Sequence, residues 1–246
     1  MCGRYATSHT SVDLTSQFEV GLMSLDAELE ADYNVAPTKM APLVVGRRAD
    51  GSADDAPAER ELMRARWGLV PSWAKDTSIG TRMINARAET LAEKPSFRRA
   101  FAKRRSLVPA DGYYEWYTAD EPPAAGGKAL KQPFFIRPKD GAALAMAGLH
   151  EFWKDASTDS WLVTFTIITT SAEDSLGHIH DRMPLFVEPD GWDAWLDPAP
   201  RPTEELLELL TPAAPGLLDA YAVSTAVNHV RNNGPELVAP LATSPE

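Results

Sequence analysis

The chain has 246 residues, 44% hydrophobic and 24% charged, with one cysteine. That length can bury a full core, while a single cysteine excludes an internal disulfide and any multi-cysteine zinc or iron–sulfur site. A net charge of −11 argues against a uniformly basic nucleic-acid binder. The absence of a bilayer-length apolar run and of a signal-peptide pattern makes the chain read as cytoplasmic.

Along the chain, Thr10-Ser11-Val12-Asp13-Leu14 opens a first helix. β-Branched and aromatic residues concentrate at 43–47, 64–70, 106–117, 133–137, 142–153 and 161–170, which are the expected strands. Further helices are expected at 95–104, at 191–196 and at 202–210, the last with Pro202 suited to a first turn. Residues 47–59 and 118–132 read as surface loops, and about 233–246 as a C-terminal tail. Strands and helices do not alternate as in a βαβ series. The expectation is therefore an α+β fold, one domain over 1–246, with a mainly antiparallel, barrel-like sheet flanked by short helices.

Charge is unevenly spread. From Arg82 to Arg105 eight Lys and Arg residues face only Glu89 and Glu93, a net of +6, which leaves −17 on the rest. An acidic protein can still present one basic face to phosphate. A solvated basic helix would read the same way.

Cys2 follows Met1. Where Met1 is removed, Cys2 becomes a free 1,2-aminothiol whose amine (reference pKa about 7.7–8.0) and thiol (about 8.5) are both partly nucleophilic near neutral pH. The amine can act as base for its own thiol, or condense with an aldehyde to an imine that the thiol closes to a thiazolidine. A cysteine at a tolerated position is the plain alternative. In "ADGYYEW" Glu115 lies among Tyr113, Tyr114 and Trp116, so an inward orientation would raise its pKa and suit it to donate a proton. An edge-strand glutamate facing water fits the same pattern. "HIHDRMP" offers His180 as a proton shuttle and Arg182 as a bidentate anion ligand, with Met183 held extended before Pro184. A metal reading of His178, His180 and Asp181 has no further ligand cluster nearby. Asn85 and Arg87, two apart on an extended segment, share a face.

"MCGRYA", "YNVAPT", "RWGLVPSW", "INARAET", "FRRAF", "RSLVPADGYYEW", "AGLHEFW", "FTIITTSA" and "HIHDRMP" occur in this order. As a series, from Cys2 to about Asn232, they resemble the SOS response-associated peptidase family, relatives of proteins that crosslink to abasic sites in single-stranded DNA. The resemblance implies that Cys2 attacks the aldehyde of a ring-opened abasic deoxyribose and ends as a thiazolidine. It implies Glu115 as the acid–base group, His180 as a second proton-transfer group, and Asn85 on the sugar or adduct. Arg4, Arg87 and Arg182 would grip phosphates, with Arg98 on the basic helix. Trp67 and Trp73 would stack on or wedge against bases where the DNA kinks, and Asn34 would support the cysteine from behind. The implied partner is single-stranded DNA containing abasic sites, bound by a monomer associated with the nucleoid, with no membrane, metal or cofactor. Two other classes stay open: a hydrolase or peptidase using Cys2 as nucleophile, and a non-covalent single-strand binder in which Cys2 is incidental.

Overall fold

Thirteen strands and four α-helices are seen in a computed structural model that describes residues 2–48, 58–118, 131–172, 179–214 and 216–241. In chain order the strands are β1 (Tyr5–Thr7), β2 (Leu22–Ser24), β3 (Asp32–Val35), β4 (Met40–Arg47), β5 (Glu59–Trp67), β6 (Asn85–Arg87), β7 (Arg105–Ala110), β8 (Gly112–Thr118), β9 (Lys131–Pro138), β10 (Leu144–Lys154), β11 (Trp161–Ser171), β12 (Arg182–Pro184) and β13 (Leu218–Ala222). The helices are α1 (Ser11–Gln17), α2 (Arg98–Lys103), α3 (Trp192–Leu196) and α4 (Thr203–Glu208). No helix among the described residues is long and apolar enough to cross a membrane.

The larger sheet runs β12-β11-β10-β7-β4-β5-β2. A parallel pairing of β5 with β11, Arg66 opposite Thr164 and Trp67 opposite Phe165, closes β11-β10-β7-β4-β5 into a five-stranded barrel. The pairings inside that ring other than this closure are antiparallel. The second sheet, β13-β9-β8-β1-β3, is antiparallel throughout. The fold is thus α+β with a mainly antiparallel, barrel-like core, as the pattern predicts.

Period-two alternation explains how the layers pack. On the small sheet Tyr5, Tyr113 and Ile136 face the barrel and join a core with Leu43, Val108, Met146 and Phe165. Their neighbours Ala6, Tyr114 and Phe135 point the other way, against Val223, Val227 and Leu237. The opposite residues of the barrel strands, including Val44, Leu107, Ala147 and Ile168, pack beneath the helices with Leu14, Phe18, Phe101 and Trp195. Thr10 caps α1 through a reciprocal pair with Asp13.

Several boundaries differ from expectation. The single strand expected at 106–117 is two strands in two sheets, broken at Asp111, whose carboxylate accepts the Ser8 amide N–H at 2.8 Å and lies 2.7 Å from His9 Nδ1. Gly112 is needed just there, because a Cβ would meet the Ile136 carbonyl oxygen at 2.5 Å. The strand expected at 64–70 ends at Trp67, since Gly68 turns at a φ of +113° with Gly80 too close for a side chain. The expected loops at 47–59 and 118–132 lie mostly outside the described residues. In the described part of the expected tail Leu237 is buried and Val223 bridges Pro240, so it is anchored to the fold.

Candidate active site

The ends of four short segments meet at the junction of the two sheets. Cys2 enters just before β1, Asn85 opens β6, Glu115 lies on β8, and His180 precedes β12. β6 is held by parallel pairing to β11, with Asn85 opposite Ile167 and Arg87 opposite Thr169. β12 is held to the end of the same strand, Arg182 opposite Ser171. β11 therefore carries Asn85, Arg87 and Arg182 in one register, while β8 brings Glu115 from the other sheet.

Cys2 is fully buried. Its carbonyl oxygen accepts a hydrogen bond from Asn85 Nδ2 at 2.8 Å. Asn85 Oδ1 is itself buried without a hydrogen-bond donor among the described residues, an acceptor beside the Cys2 backbone. Burial pushes the Cys2 thiol far above its usual range, and the Glu115 carboxylate raises it further.

Glu115 is 2% exposed. Desolvation pushes its carboxyl up to about 7, so it is present in both protonation states near neutral pH. His180 Nε2 lies 3.9 Å from Glu115 Oε2, longer than a hydrogen bond but within reach of one after a small adjustment. The Arg182 amide N–H donates to His180 Nδ1 at 3.0 Å, leaving Nε2 turned toward Glu115. Burial lowers the His180 pKa and outweighs the exposed Asp181 carboxylate, 2.9 Å from Nδ1, which acts in the opposite direction. A neutral imidazole and a carboxyl titrating near 7 thus share one cleft of about 610 Å3, lined also by Arg87, Trp116, Lys131 and Arg182.

The other expected site residues divide into those at this cleft, those behind it and those elsewhere. Arg87 is exposed within it and makes no ion pair among the described residues. Arg182 lines it too, but its guanidinium is engaged: Nη1 and Nη2 reach the two Glu89 carboxylate oxygens at 2.7 and 3.2 Å, and Nη2 donates to the Thr169 carbonyl at 2.7 Å. Arg4 Nη1 donates to Asn34 Oδ1 at 2.7 Å and to the Val227 carbonyl at 2.8 Å. Asn34 Nδ2 donates to the carbonyls of Val227, His229 and Asn232. The pair Arg4–Asn34 therefore fastens the C-terminal segment behind the site.

Trp67 corrects the expectation that it stacks on or wedges against bases. It is fully buried, its indole N–H donates to the Ile84 carbonyl at 2.8 Å, and its ring stacks on Phe165 and meets the edge of Tyr5. It builds the barrel closure and presents no face to a ligand. Trp73 and Arg98 are exposed, and neither lines the cleft. The aromatic side chain that does line it is Trp116, whose indole N–H bonds Asn228 Oδ1 at 2.7 Å, with the Arg4 guanidinium carbon 6.0 Å from its ring centroid. Its adjacency to Glu115 was the sequence signal for it. Lys131 had none, standing at the edge of a loop-like stretch. Among the described residues no three His, Cys, Asp or Glu side chains gather as a metal site, and His178 lies outside them.

The family model for SOS response associated peptidase (SRAP) matches residues 1–230. The abasic site processing protein YoqW of Bacillus subtilis is 39% identical over 238 residues, covering 97% of this chain and 99% of the relative. The abasic site processing protein HMCES of Gallus gallus is 34% identical over 232 residues, covering 85% of this chain and 66% of that protein. Among solved structures, a protein from Bacteroides thetaiotaomicron superposes with a TM-score of 0.78 at 27% identity, covering 98% of this chain and 100% of its own. A phage-related protein from Bordetella bronchiseptica does so with a TM-score of 0.64 at 29% identity, covering 90% and 94%.

Proposed function

Because the chain belongs to the SOS response associated peptidase family, we propose that it processes abasic sites in DNA by joining Cys2, once Met1 is removed, to the ring-opened sugar of a single strand. The observation that carries this reading is the meeting of Cys2 and Asn85 with a buried carboxyl titrating near 7 and a neutral histidine beside it. An abasic sugar rests mostly as a closed hemiacetal, so the site must open the ring before capturing the carbonyl. Glu115 and His180 form an acid–base pair for that opening.

The Cys2 amine then adds to the aldehyde carbon, giving a carbinolamine. Protonation of its hydroxyl by the Glu115 carboxyl releases water and leaves an imine. The thiol sulfur adds to the imine carbon as its proton passes to nitrogen, closing the five-membered ring. The net change is aldehyde plus aminothiol to thiazolidine plus water. Burial, which disfavours the Cys2 thiolate, supports amine-first capture. Ring closure follows readily because it is intramolecular. Asn85, bonded to the Cys2 carbonyl, orients the terminus. Trp116 offers a stacking surface and Arg87 a phosphate contact at the cleft rim.

The test is a single-stranded oligonucleotide carrying one abasic site, mixed with the Met1-processed protein. A species surviving denaturing electrophoresis is expected, and it should disappear in Cys2→Ala, in Cys2→Ser and in protein whose N-terminus is blocked by a tag. Equal crosslinking by tagged and processed protein rules out the thiazolidine. Cleavage of an amide substrate with turnover would instead favour the peptidase reading.

A further inference from the structure

A second cleft, of about 380 Å3, lies at the far end of the β10–β11 hairpin and is lined by Ser72, Arg99, Arg104, Glu151, Phe152 and Trp161. Of the large apolar side chains exposed among the described residues, three are aromatic: Trp73 at 62%, Trp161 at 65% and Phe152 at 37%. Phe152 and Trp161 line this cleft, and Trp73 is the chain neighbour of Ser72 in its wall. Phe152 and Lys154 share one face of β10, and Trp161 stands directly across from Lys154 on β11. Trp73 follows Ser72 in a loop tied to the hairpin by the Trp153 indole N–H, which donates to the Ala74 carbonyl at 2.8 Å.

Each hairpin ring carries a cation. The Arg104 guanidinium carbon is 5.9 Å from the Phe152 ring centroid, and Lys154 Nζ is 5.8 Å from that of Trp161. Arg104 also pairs with Glu151, and Lys154 with Asp159 at 2.6 Å. Arg98, Arg99 and Lys103 on α2 are exposed and make no ion pair among the described residues. The segment between the two clefts is the basic one: Arg87 lines the first, Arg99 and Arg104 the second. Along β11, from Thr169 beside Arg87 to Trp161, eight residues at about 3.3 Å each span roughly 26 Å.

We propose that this aromatic and basic patch is a second contact site for single-stranded DNA, holding undamaged nucleotides of the strand whose lesion occupies the Cys2 cleft. The inference rests on the reading above for its direction along the strand. Flat rings with cations alongside suit unpaired bases between phosphates, and such stacking tolerates any sequence. A duplex hides its base faces, so it gains nothing from the rings. At about 3.4 Å per stacked nucleotide the patch lies roughly eight nucleotides from the phosphate held at Arg87.

The experiment uses the full chain and the double variant Phe152→Ala/Trp161→Ala, both changes being on an exposed face. Binding and crosslinking are measured on abasic oligonucleotides with about 3 or about 15 nucleotides on each side of the lesion, lengths set by that spacing. On the long strand the variant should bind at least about 10-fold more weakly, the worth of stacking one base or two. On the short strand it should match the parent in affinity and crosslinking. Strands extended on one side only should show the loss for a single polarity. Equal losses on both lengths, or none on the long one, overturn the proposal. So does unchanged DNA binding with altered sedimentation, which would make the patch a contact between copies of the chain. Binding of an undamaged long strand reads the patch even where no crosslink forms, so failure of the capture chemistry and failure of the patch are separable.

Discussion

Arg105 and Glu115 are both charged-type side chains buried on strands consecutive in the chain but in different sheets, and they are buried for opposite ends. Arg105, 2% exposed at the start of β7, donates to four carbonyls: Phe101 and Ala102 of α2, and Trp195 and Asp197 at the end of α3. Those are orphan carbonyls of two helix C-termini, where a cation is favoured. Burial lowers its pKa only to about 10, so it keeps its charge at neutral pH. Glu115, equally buried, is held where desolvation brings its titration to about 7. A buried charge that caps backbone is structural; one whose protonation is left balanced beside a cleft is available for chemistry.

Mutation should break the comparison in opposite directions. Arg105→Met strands up to four buried carbonyls, each costing about 1–3 kcal/mol, so a loss of at least about 3 kcal/mol is expected in urea unfolding. Glu115→Gln should slow crosslinking by roughly 10²- to 10⁴-fold, the usual worth of a positioned acid–base group, while leaving single-strand affinity intact. The same change should stabilise the fold at high pH. With its folded pKa raised from 4.5 to about 7, Glu115 lowers stability progressively as pH rises through that window, and Gln removes the loss. The gap between variant and parent should therefore grow between pH 5 and pH 8, approaching about 3 kcal/mol. A pH-independent gap would mean that Glu115 is not a titrating buried carboxyl.

How much of this was readable beforehand follows from the range of each interaction. Glu115 was legible because its environment, Tyr113, Tyr114 and Trp116, is its own sequence neighbourhood. The long strands β10 and β11 were legible from composition. β1, β3, β6 and β12 were not: three or four residues carry too little periodicity, and partners far along the chain hold them. Trp67 was given a stacking role by the resemblance alone, and no local pattern showed that the barrel closure beside Phe165 buries it. Arg182 was legible as a bidentate anion ligand, but that its partner is Glu89 was not, because Glu89 stands 93 residues away.

That last pairing supplies the finest test of the site. Exposed Arg87 makes no ion pair among the described residues and only a minor electrostatic contribution at Glu89, so most of its charge is open to a phosphate. Arg182 must first leave Glu89, whose pKa is lowered chiefly by their hydrogen bond, or contribute little net charge. In single-strand binding each neutralised phosphate adds about −0.7 to the slope of log affinity against log salt. Arg87→Ala should therefore flatten the slope by about 0.7, while Arg182→Ala should change it by less than half as much. Glu89→Gln should steepen it, because the released guanidinium becomes a phosphate ligand without a competing carboxylate. Equal flattening by the two arginine variants would show that DNA pulls Arg182 from Glu89. A slope untouched by Arg87→Ala would place the phosphates outside the cleft altogether.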